Sequence, residues 1–231
     1  DRNATRTALA YTLKRLRVDY IDIYRPARVS PLVPIEDTVG AIAELVKEGY
    51  VRHIGLSEAG ADTIRKAHAV HPIVDLQIEY AILTRGVEDK ILPVLRELGI
   101  GMTAYGVLSR GLISDSALAG GSRSGFRAMA PRFQGENLDQ NLKLVSALKA
   151  IADEKGCTVA QLAMAWVYAQ GEDIVPLIGA RKPARLAEAL GALYVTLTPA
   201  DMARIEAAAP ASAVAGTRYP AALIPTLDSE R

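Results

Sequence analysis

The chain has 231 residues, of which 50% are hydrophobic and 23% are charged, and its formal net charge is +1. This balance is typical of a globular protein, and the near-zero charge gives no reason to expect nucleic acid or an anionic membrane as a partner. No segment reaches the ~18 consecutive apolar residues that span a bilayer, and the single cysteine cannot form an internal disulfide, which fits a reducing, cytoplasmic location.

Short apolar runs alternate with helical patterns along the chain. Strands are predicted over residues 19–24, 51–56, 74–78, 100–105 and 174–178. Helices are predicted over residues 4–16, 36–48, 61–70, 87–98, 138–155, 158–168 and 183–190, and a last one is announced by Thr198 to Asp201. Because the strands look buried on both faces, the alternation predicts a parallel sheet covered by helices.

Two α/β architectures fit this alternation, an open doubly wound sheet and part of a (β/α)8 barrel. Periodicity alone does not separate them. No Gly-x-Gly-x-x-Gly motif follows any predicted strand, which counts against a doubly wound fold that binds a dinucleotide.

Two segments lack a sustained period. Residues 107–136 are rich in Gly, Ser and Arg, and an irregular stretch of about 30 residues inside a compact domain is usually functional or disordered. The tail over residues 210–231 is rich in Ala and Pro, and we expect it to be loosely held.

A basic cluster surrounds the predicted start of the helix at Pro183. Arg181 and Lys182 precede this proline, and Arg185 follows it within the first turn. A helix N-terminus offers unpaired N–H groups and the positive end of the helix dipole, so cations crowded there favour a bound anion. The cluster therefore predicts an anion site, and a solvated basic turn is the alternative.

The carboxyl ends of the predicted strands carry polar side chains, and ligands bind at that end in both α/β architectures. Ser57 offers a hydroxyl, Gln77 an amide and Tyr105 an aromatic ring, while Gly179 opens the turn before the basic cluster. Together they favour a nicotinamide nucleotide. Taken singly, each has a simpler role: Ser57 as a helix cap, Gln77 as a partner of backbone groups and Tyr105 as a packing residue.

The three histidines do not suggest a metal site. His53, His68 and His71 have no metal-ligand spacing among themselves or with other residues. The sequence also has no nucleophile elbow and no Walker loop. We therefore expect no bound metal.

Five motifs occur in a specific order and spacing: DYIDIY, VRHIGLSE, LQIEY, LGIGMTAYGVLSRG and IVPLIGARKPARLAEALGAL. Together they resemble the aldo-keto reductase family, over roughly residues 5–208. The resemblance implies a (β/α)8 TIM barrel that binds NADP(H) and reduces a small-molecule aldehyde or ketone to an alcohol. On that resemblance the chain begins just before the fourth strand, so we expect an incomplete barrel with about strands 4–8, forming a single domain over residues 1–231.

The resemblance also places cofactor-binding positions on this chain: Ser57, Gln77, Tyr105, Gly106, Leu108, Arg110, Gly179, Arg181, Lys182, Arg185 and Glu188. Ser57 and Gln77 match residues that hydrogen-bond the nicotinamide carboxamide, and Tyr105 matches the ring that stacks on the nicotinamide. The segment from Gly106 to Arg110 matches the one that receives the pyrophosphate.

At the adenosine end, Arg181 or Lys182, with Arg185, match the residues that grip the 2′-phosphate, and Glu188 matches an acceptor on the adenine side. The loop over residues 107–136 falls where the family folds a segment over the cofactor. Some neighbouring positions depart from the family pattern: Glu58 and Ala189 in place of Asn, and Gly106-Val107 in place of Ser-Pro.

A further departure falls on the catalytic position. Ala27 occupies the position of the family's catalytic histidine. Arg25, two residues earlier, would share a strand face with it and is a candidate substitute donor, with Arg28 as a second. The alternative is that both arginines are solvated charges and that water fills the gap.

The resemblance implies an NADPH-dependent oxidoreductase. The family's Asp, its proton-donating Tyr and its Lys are absent from this sequence, so we expect the 231 residues alone to be inactive. The alternative is a different class of protein on the same scaffold, an NADP(H)-binding regulatory or interaction subunit with weakened catalysis, and Ala27 is the feature that favours it.

Overall fold

The computed structural model describes residues 2–121 and 124–230. The strands in this part of the chain are β1 (Ile21–Tyr24), β2 (Val51–Ser57), β3 (Ile73–Glu79), β4 (Gly101–Tyr105) and β5 (Ile174–Pro176). The α-helices are α1 (Arg2–Leu16), α2 (Ile35–Lys47), α3 (Ala61–Val70), α4 (Ile91–Leu98), α5 (Asp115–Leu118), α6 (Gly135–Glu154), α7 (Val159–Tyr168), α8 (Pro183–Gly191) and α9 (Pro199–Ala208).

The strands form one sheet in chain order, β1-β2-β3-β4-β5. β1 pairs with β2 in parallel, and β2 with β3, in a register that sets Ser57 beside Gln77. Chain order with parallel pairing requires a crossover between successive strands, and helices supply these crossovers. The predicted parallel α/β architecture is confirmed.

The chain divides into two compact units, one formed by residues 1–78, 87–102 and 225–231 and the other by residues 79–86 and 103–224. In the first unit, the apolar face of α2 is buried through Val39, Ile42 and Leu45. Ile54 of β2 and Leu76 of β3 are also buried. Their burial contributes hydrophobic stabilisation to this unit.

The second unit is built around α7, whose residues from Val159 to Val167 are nearly all buried. Trp166 of this helix lies with its ring centroid 5.4 Å from that of Tyr80. A capping box opens this helix at Thr158, since the hydroxyl accepts from the N–H of Gln161 while the Gln161 side chain accepts from the N–H of Thr158. Reciprocal bonds of this kind satisfy backbone donors that the first helical turn leaves unpaired.

The helix predicted over residues 87–98 is shorter than expected, because α4 begins at Ile91. The carbonyl oxygen of Val87 accepts from the N–H groups of Ile91 and Leu92, and a turn occupies the residues between. Pro93 falls in the first helical turn, where the missing N–H breaks no helical bond. The sequence did not reveal this later start, because Val87 lies four residues before Ile91 and so extends the apolar helical spacing towards the N-terminus.

The apolar face of α8 is also placed differently from the sequence expectation. The spacing of Leu186, Ala189 and Leu190 predicts a face that packs inward, yet Leu186 and Leu190 are each 52% exposed. None of the helix's residues is buried. Among the described residues, no element buries this face.

The long predicted loop over residues 107–136 contains short helical turns at Ser109–Gly111, Asp115–Leu118, Gly125–Ala128 and Pro131–Phe133. Its positions 122 and 123 lie outside the described residues, and α6 begins at Gly135. The described part of the tail forms short turns at Ala211–Ala213, Ile224–Thr226 and Asp228–Glu230. No helix in the described part of the chain is both long and apolar enough to cross a membrane.

Candidate cofactor site

The first unit places Ser57 and Gln77 side by side at the carboxyl ends of β2 and β3. They are partners in the parallel register, and the N–H of Glu58 donates to the carbonyl oxygen of Gln77 at 3.0 Å. The following helix α3 has Gly60 as its N-cap, with no side-chain cap bond. Ser57 therefore does not cap that helix, and its hydroxyl stands at the strand end together with the Gln77 amide.

Glu58, which stands where the family usually has Asn, holds the end of the tail. Its backbone is in the left-handed region (φ +53°) and its side chain is fully buried. Oε2 accepts from the hydroxyl of Ser229 at 2.7 Å, and the Glu58 carbonyl oxygen accepts from the Ser229 N–H at 3.1 Å. Next to it, the N–H of Gly60 donates to Oδ2 of Asp228 at 2.7 Å.

Arg25 is half-buried and forms an ion pair. Its Nε donates to Oδ2 of Asp75 on β3. To reach it the side chain crosses Gly55, where an added Cβ would lie 2.8 Å from Cγ of Arg25. Gly55 and Asp75 are register partners on the same strands and the same face as Ser57 and Gln77. Any donor role of Arg25 must therefore compete with a carboxylate that it already contacts.

Ala27 and Arg28 lie at the surface. Both are exposed, and Nη1 of Arg28 donates to the carbonyl oxygen of Ala27 at 2.5 Å. The position of the family's histidine thus carries no donor, and the nearest cation in sequence contacts backbone.

In the second unit, a cleft of about 770 Å³ is lined by residues from the loop after β4, α7 and α8. The residues in its lining that the sequence predicts to bind a cofactor are Leu108, Gly179, Arg181, Lys182, Arg185 and Glu188. Arg127 adds a fourth cation, against the carboxylates of Asp115 and Glu188. The cleft therefore carries an excess of positive charge, which suits an anionic ligand.

The basic cluster sits at the N-terminus of α8, as predicted. Lys182 is the N-cap and makes no side-chain cap bond, and Pro183 is the first helical residue. Nη1 of Arg185 lies 2.7 Å from Oε2 of Glu188, one turn along the helix. The cations are largely exposed, as a solvated turn would be, but they line a concave surface.

Glu188 is fixed from two sides. Its Oε1 accepts from the hydroxyl of Thr158 at 3.1 Å, and its carbonyl oxygen accepts from Nε2 of Gln161 at 2.9 Å. Both partners belong to the N-terminal capping box of α7. The capping box thus orients Glu188, and Glu188 in turn orients Arg185 in the cleft.

The turn after β4 is tight and crowded. Gly106 has φ +69°, and an added Cβ would lie 2.9 Å from Cγ of Glu79. Ser109 and Arg110 also have positive φ, an arrangement that a non-glycine residue keeps only when its surroundings enforce it. At Gly111, with φ +84°, a side chain would overlap the guanidinium of Arg127.

Glu79 is a buried carboxylate at the end of β3. Three arginines lie close to it, and the sequence did not predict them as its partners. Nη1 of Arg218 lies 3.5 Å from its Oε2, Nη2 of Arg110 lies 3.6 Å from the same oxygen, and Nη1 of Arg132 lies 4.0 Å from Oε1. The hydroxyl of Thr84 donates to Oε1 at 3.1 Å. Arg110 and Glu79 both lie in the quoted motifs, but a motif does not reveal a pairing across the chain.

Tyr105, Gly106 and Arg110 do not line the cleft, and the turn that follows Tyr105 holds buried polar side-chain atoms. Nε and Nη2 of Arg110 and the hydroxyl oxygen of Ser109 are buried and, among the described residues, accept or donate no hydrogen bond. Leaving such groups unpaired is costly, so an acceptor arriving at this turn would be stabilised. The residues present therefore fit a ligand that carries phosphate oxygens.

The described residues contain no group of three or more His, Cys, Asp or Glu side chains that could hold a metal ion. The cleft of the second unit is polar and lined by cations, and such a lining is typical of sites that bind phosphorylated ligands.

The profile of the Aldo/keto reductase family matches residues 1–210, and the chain belongs to this family. It is 48% identical over 209 residues to "Probable aldo-keto reductase 1" of Glycine max, covering 90% of this chain and 60% of that protein. Among solved structures, the glycerol dehydrogenase of Gluconobacter oxydans superposes with a TM-score of 0.82 at 25% identity, covering 91% of this chain and 65% of that one. A thermostable aldo-keto reductase in complex with the inhibitor epalrestat gives 0.72 at 28% identity, covering 90% and 66%.

The resemblance noted from the motifs is thereby confirmed, and so is the fold class, because the structural neighbours are (β/α)8 barrels of this family. The open doubly wound alternative is wrong. The chain spans about 60–66% of the length of these relatives.

Proposed function

We propose that this chain serves an NADPH-dependent oxidoreductase that reduces an aldehyde or ketone to an alcohol. Membership of the Aldo/keto reductase family supports this class of reaction. The single observation that carries the choice of cofactor is the cleft in which Arg181, Lys182, Arg185 and Glu188 meet at the N-terminus of α8. We also propose a cytoplasmic location for the protein, because its single cysteine fits a reducing compartment.

The 2′-phosphate of NADPH is the ligand group that suits this cleft. It carries up to about two negative charges, like other phosphomonoesters. A guanidinium can bind such a group bidentately, and the positive end of the α8 dipole adds to the attraction. Arg185 is the residue that we assign to the phosphate, because Glu188 orients it. Arg181 or Lys182 would assist it.

The remaining assignments follow the family positions. Ser57 and Gln77 would hydrogen-bond the carboxamide, and Tyr105 would stack on the nicotinamide. The turn from Gly106 to Arg110 would receive the pyrophosphate, which suits the unpaired donors of Ser109 and Arg110. The nicotinamide, when bound, supplies the hydride, and these residues bind and orient it.

The loop over residues 107–136 would cover the cofactor. Arg127 supports this role, since it lines the cleft while its Nε donates to the carbonyl oxygen of Arg110 at 2.8 Å. Exclusion of water by such a segment strengthens every polar contact beneath it.

Nucleotide titration tests the proposal. The protein at its full encoded length is expected to bind NADPH more tightly than NADH, measured by the change in nucleotide fluorescence. Equal affinities would show that the cleft does not read the 2′-phosphate. Failure to bind either nucleotide would contradict the oxidoreductase proposal as a whole.

A second function, an NADP(H)-binding regulatory or interaction subunit, is favoured by one specific observation. Ala27 provides no donor at the family's histidine position, and the guanidinium of Arg25 already pairs with Asp75. Such a protein would bind NADPH without oxidising it when offered a broad panel of aldehydes and ketones. Steady turnover of any of them would exclude this alternative.

We also propose that a polypeptide of residues 1–231 by itself is inactive. The family's proton-donating tyrosine and lysine have no counterpart in this sequence. Carbonyl reduction needs a proton as well as a hydride, so the 231 residues lack an assigned source of it.

A further inference from the structure

The segment from Ala215 to Tyr219 in the second unit is held in a fixed path. The fully buried Asn141 forms two bonds to Ala215: its Nδ2 donates to the carbonyl oxygen and its Oδ1 accepts from the N–H, both at 2.9 Å. Nε of Arg132 donates to the carbonyl oxygen of Gly216 at 3.2 Å. Gly216 itself has φ +80°, and a Cβ there would meet the backbone of Pro131 at 2.9 Å. The path of this segment is therefore set by the protein around it.

This path brings Arg218 to the buried Glu79 and Tyr219 to Tyr105, one of the predicted cofactor residues. Arg218 is buried and donates to Oε2 of Glu79 at 3.5 Å. The hydroxyl oxygen of Tyr219 lies 3.1 Å from that of Tyr105, within hydrogen-bond distance. The residue that would stack on the nicotinamide is thus tied, through its hydroxyl, to the C-terminal segment.

The ring of Tyr219 also contacts Arg110. Cζ of the Arg110 guanidinium lies 4.7 Å from the centroid of the Tyr219 ring and 4.2 Å from that of Phe126. The two rings meet edge to face, with centroids 5.7 Å apart and an angle of 75° between their planes. Such aromatic faces attract a cation and restrict it without using its N–H donors. Arg110 is therefore held in place by the two rings and by Glu79, while its Nε makes no hydrogen bond among the described residues.

We propose that Tyr219 is a positioning residue of the nucleotide site, acting on Tyr105 through its hydroxyl and on Arg110 through its ring. The proposal rests on the NADPH-binding function proposed above and adds a residue from the tail to it. Groups that are ordered before the ligand arrives lose less conformational freedom on binding, so their ligand binds more tightly. The same side chain serves the nicotinamide contact and the pyrophosphate contact, which NADPH and NADH share.

The two contacts can be separated by substitution. Tyr219→Phe removes the hydroxyl bond to Tyr105 and keeps the ring beside Arg110. Tyr219→Leu removes both. Tyr168→Leu is the matched control, because Tyr168 lies exposed at the end of α7, away from this segment.

The experiment uses the protein at its full encoded length and measures the dissociation constants of NADPH and NADH, with the melting temperature of the ligand-free protein as a check on folding. Tyr219→Phe is expected to weaken both nucleotides by about 2- to 12-fold, the range of one neutral hydrogen bond. Tyr219→Leu is expected to weaken both by a further 2- to 30-fold or so, the range of a cation–aromatic contact. Tyr168→Leu should change neither.

The outcomes are distinguishable from failure of the proposed function. If the wild type binds neither nucleotide, the proposed function falls and this inference falls with it. If the wild type binds and Tyr219→Phe binds equally well at an unchanged melting temperature, the function stands and the positioning role is overturned. A loss of affinity for NADPH alone would also overturn it, because only contacts to the 2′-phosphate distinguish NADPH from NADH. Should Tyr219→Leu fail to fold, Tyr219→Phe alone decides.

Discussion

Nζ of Lys155 lies 2.8 Å from Oδ2 of Asp201, the carboxylate that closes the N-terminal capping box of α9. The same oxygen accepts from the N–H and the hydroxyl of Thr198 at 2.9 Å and 2.8 Å. These bonds, that of Lys155 first, hold the pKa of Asp201 well below its usual range. The ion pair joins the end of α6 to the start of α9, so it couples two helices of the second unit.

Stability in acid is expected to depend on Asp201. Because its pKa is lowered by folding, the carboxylate stabilises the fold above its unfolded pKa of about 3.9, and this stabilisation is lost as the pH falls through the lower folded value. Asp201→Asn should therefore reduce the free energy of unfolding at pH 7 and flatten its dependence on pH below about 4. Urea unfolding between pH 3 and 7 measures this.

Asp139→Asn is the control for Asp201, since it makes the same charge change at an exposed position of α6. It should leave the pH dependence as in the wild type. Thr198→Ala, which removes the cap hydroxyl, is expected to cost about 0.5–2 kcal/mol. Parallel stability curves for the wild type and Asp201→Asn would contradict the coupling.

Cofactor choice is expected to depend on Arg185. Arg185→Ala should weaken NADPH binding by about 10- to 150-fold, because hydrogen bonds to a charged group are lost, while NADH binding barely changes. Arg204→Ala is the matched control, since Arg204 is an exposed arginine of α9 that also pairs with a glutamate, Glu154 at 2.6 Å. Equal losses of NADPH and NADH in Arg185→Ala would show that this arginine does not read the phosphate.

Turnover is expected to be limited by Ala27. Loss of one oxyanion-type donor typically costs about 10²- to 10³-fold in turnover, so the protein at its full encoded length should bind NADPH well but reduce generic aldehydes slowly, and Ala27→His should raise the rate. Arg25→Ala should lower the melting temperature, because Asp75 loses this partner. Arg28→Ala, at the exposed neighbour, should change neither property. A fast wild type that Ala27→His slows and Arg25→Ala leaves unchanged would contradict this account.

A polypeptide of these 231 residues is expected to associate in solution. Leu186 and Leu190 of α8 are half exposed, Tyr194 just beyond the helix is 88% exposed, and β1 and β5 are edge strands of the sheet. Exposed apolar faces and open strand edges promote pairing between chains. Light scattering after gel filtration should show mass increasing with concentration. Leu186→Glu with Leu190→Glu should reduce it, and a monomer that melts in one sharp transition would contradict the expectation.

Local signals predicted much of the fold because their causes lie within a few residues. The helix starts at Thr158, Pro183 and Thr198 appear where the sequence places them. Each depends on side chains within one helical turn, so no knowledge of the rest of the chain is needed. The same holds for the position of the basic cluster beside the cleft.

Other features could not be predicted because they depend on partners far away in the chain. Glu79 meets Arg218 across 139 positions, and Glu58 meets Ser229 across 171. Composition describes the tail that carries both partners as Ala- and Pro-rich, which says nothing about the few residues that anchor it. The apolar face of α8 shows the complementary limit: periodicity identifies a face, but it does not reveal whether anything covers it.

The separation of Glu79 and Arg218 in the chain also determines when their ion pair can form during translation. Chain synthesis adds roughly 5–20 residues per second, so at a separation of 139 positions Arg218 leaves the ribosome about 7–28 s after Glu79. Arg110 and Arg132 are made earlier and can meet the carboxylate first. The second unit can therefore collapse around Glu79 during translation, but it acquires its last arginine, and with it the ring of Tyr219, only near the end of translation of these residues.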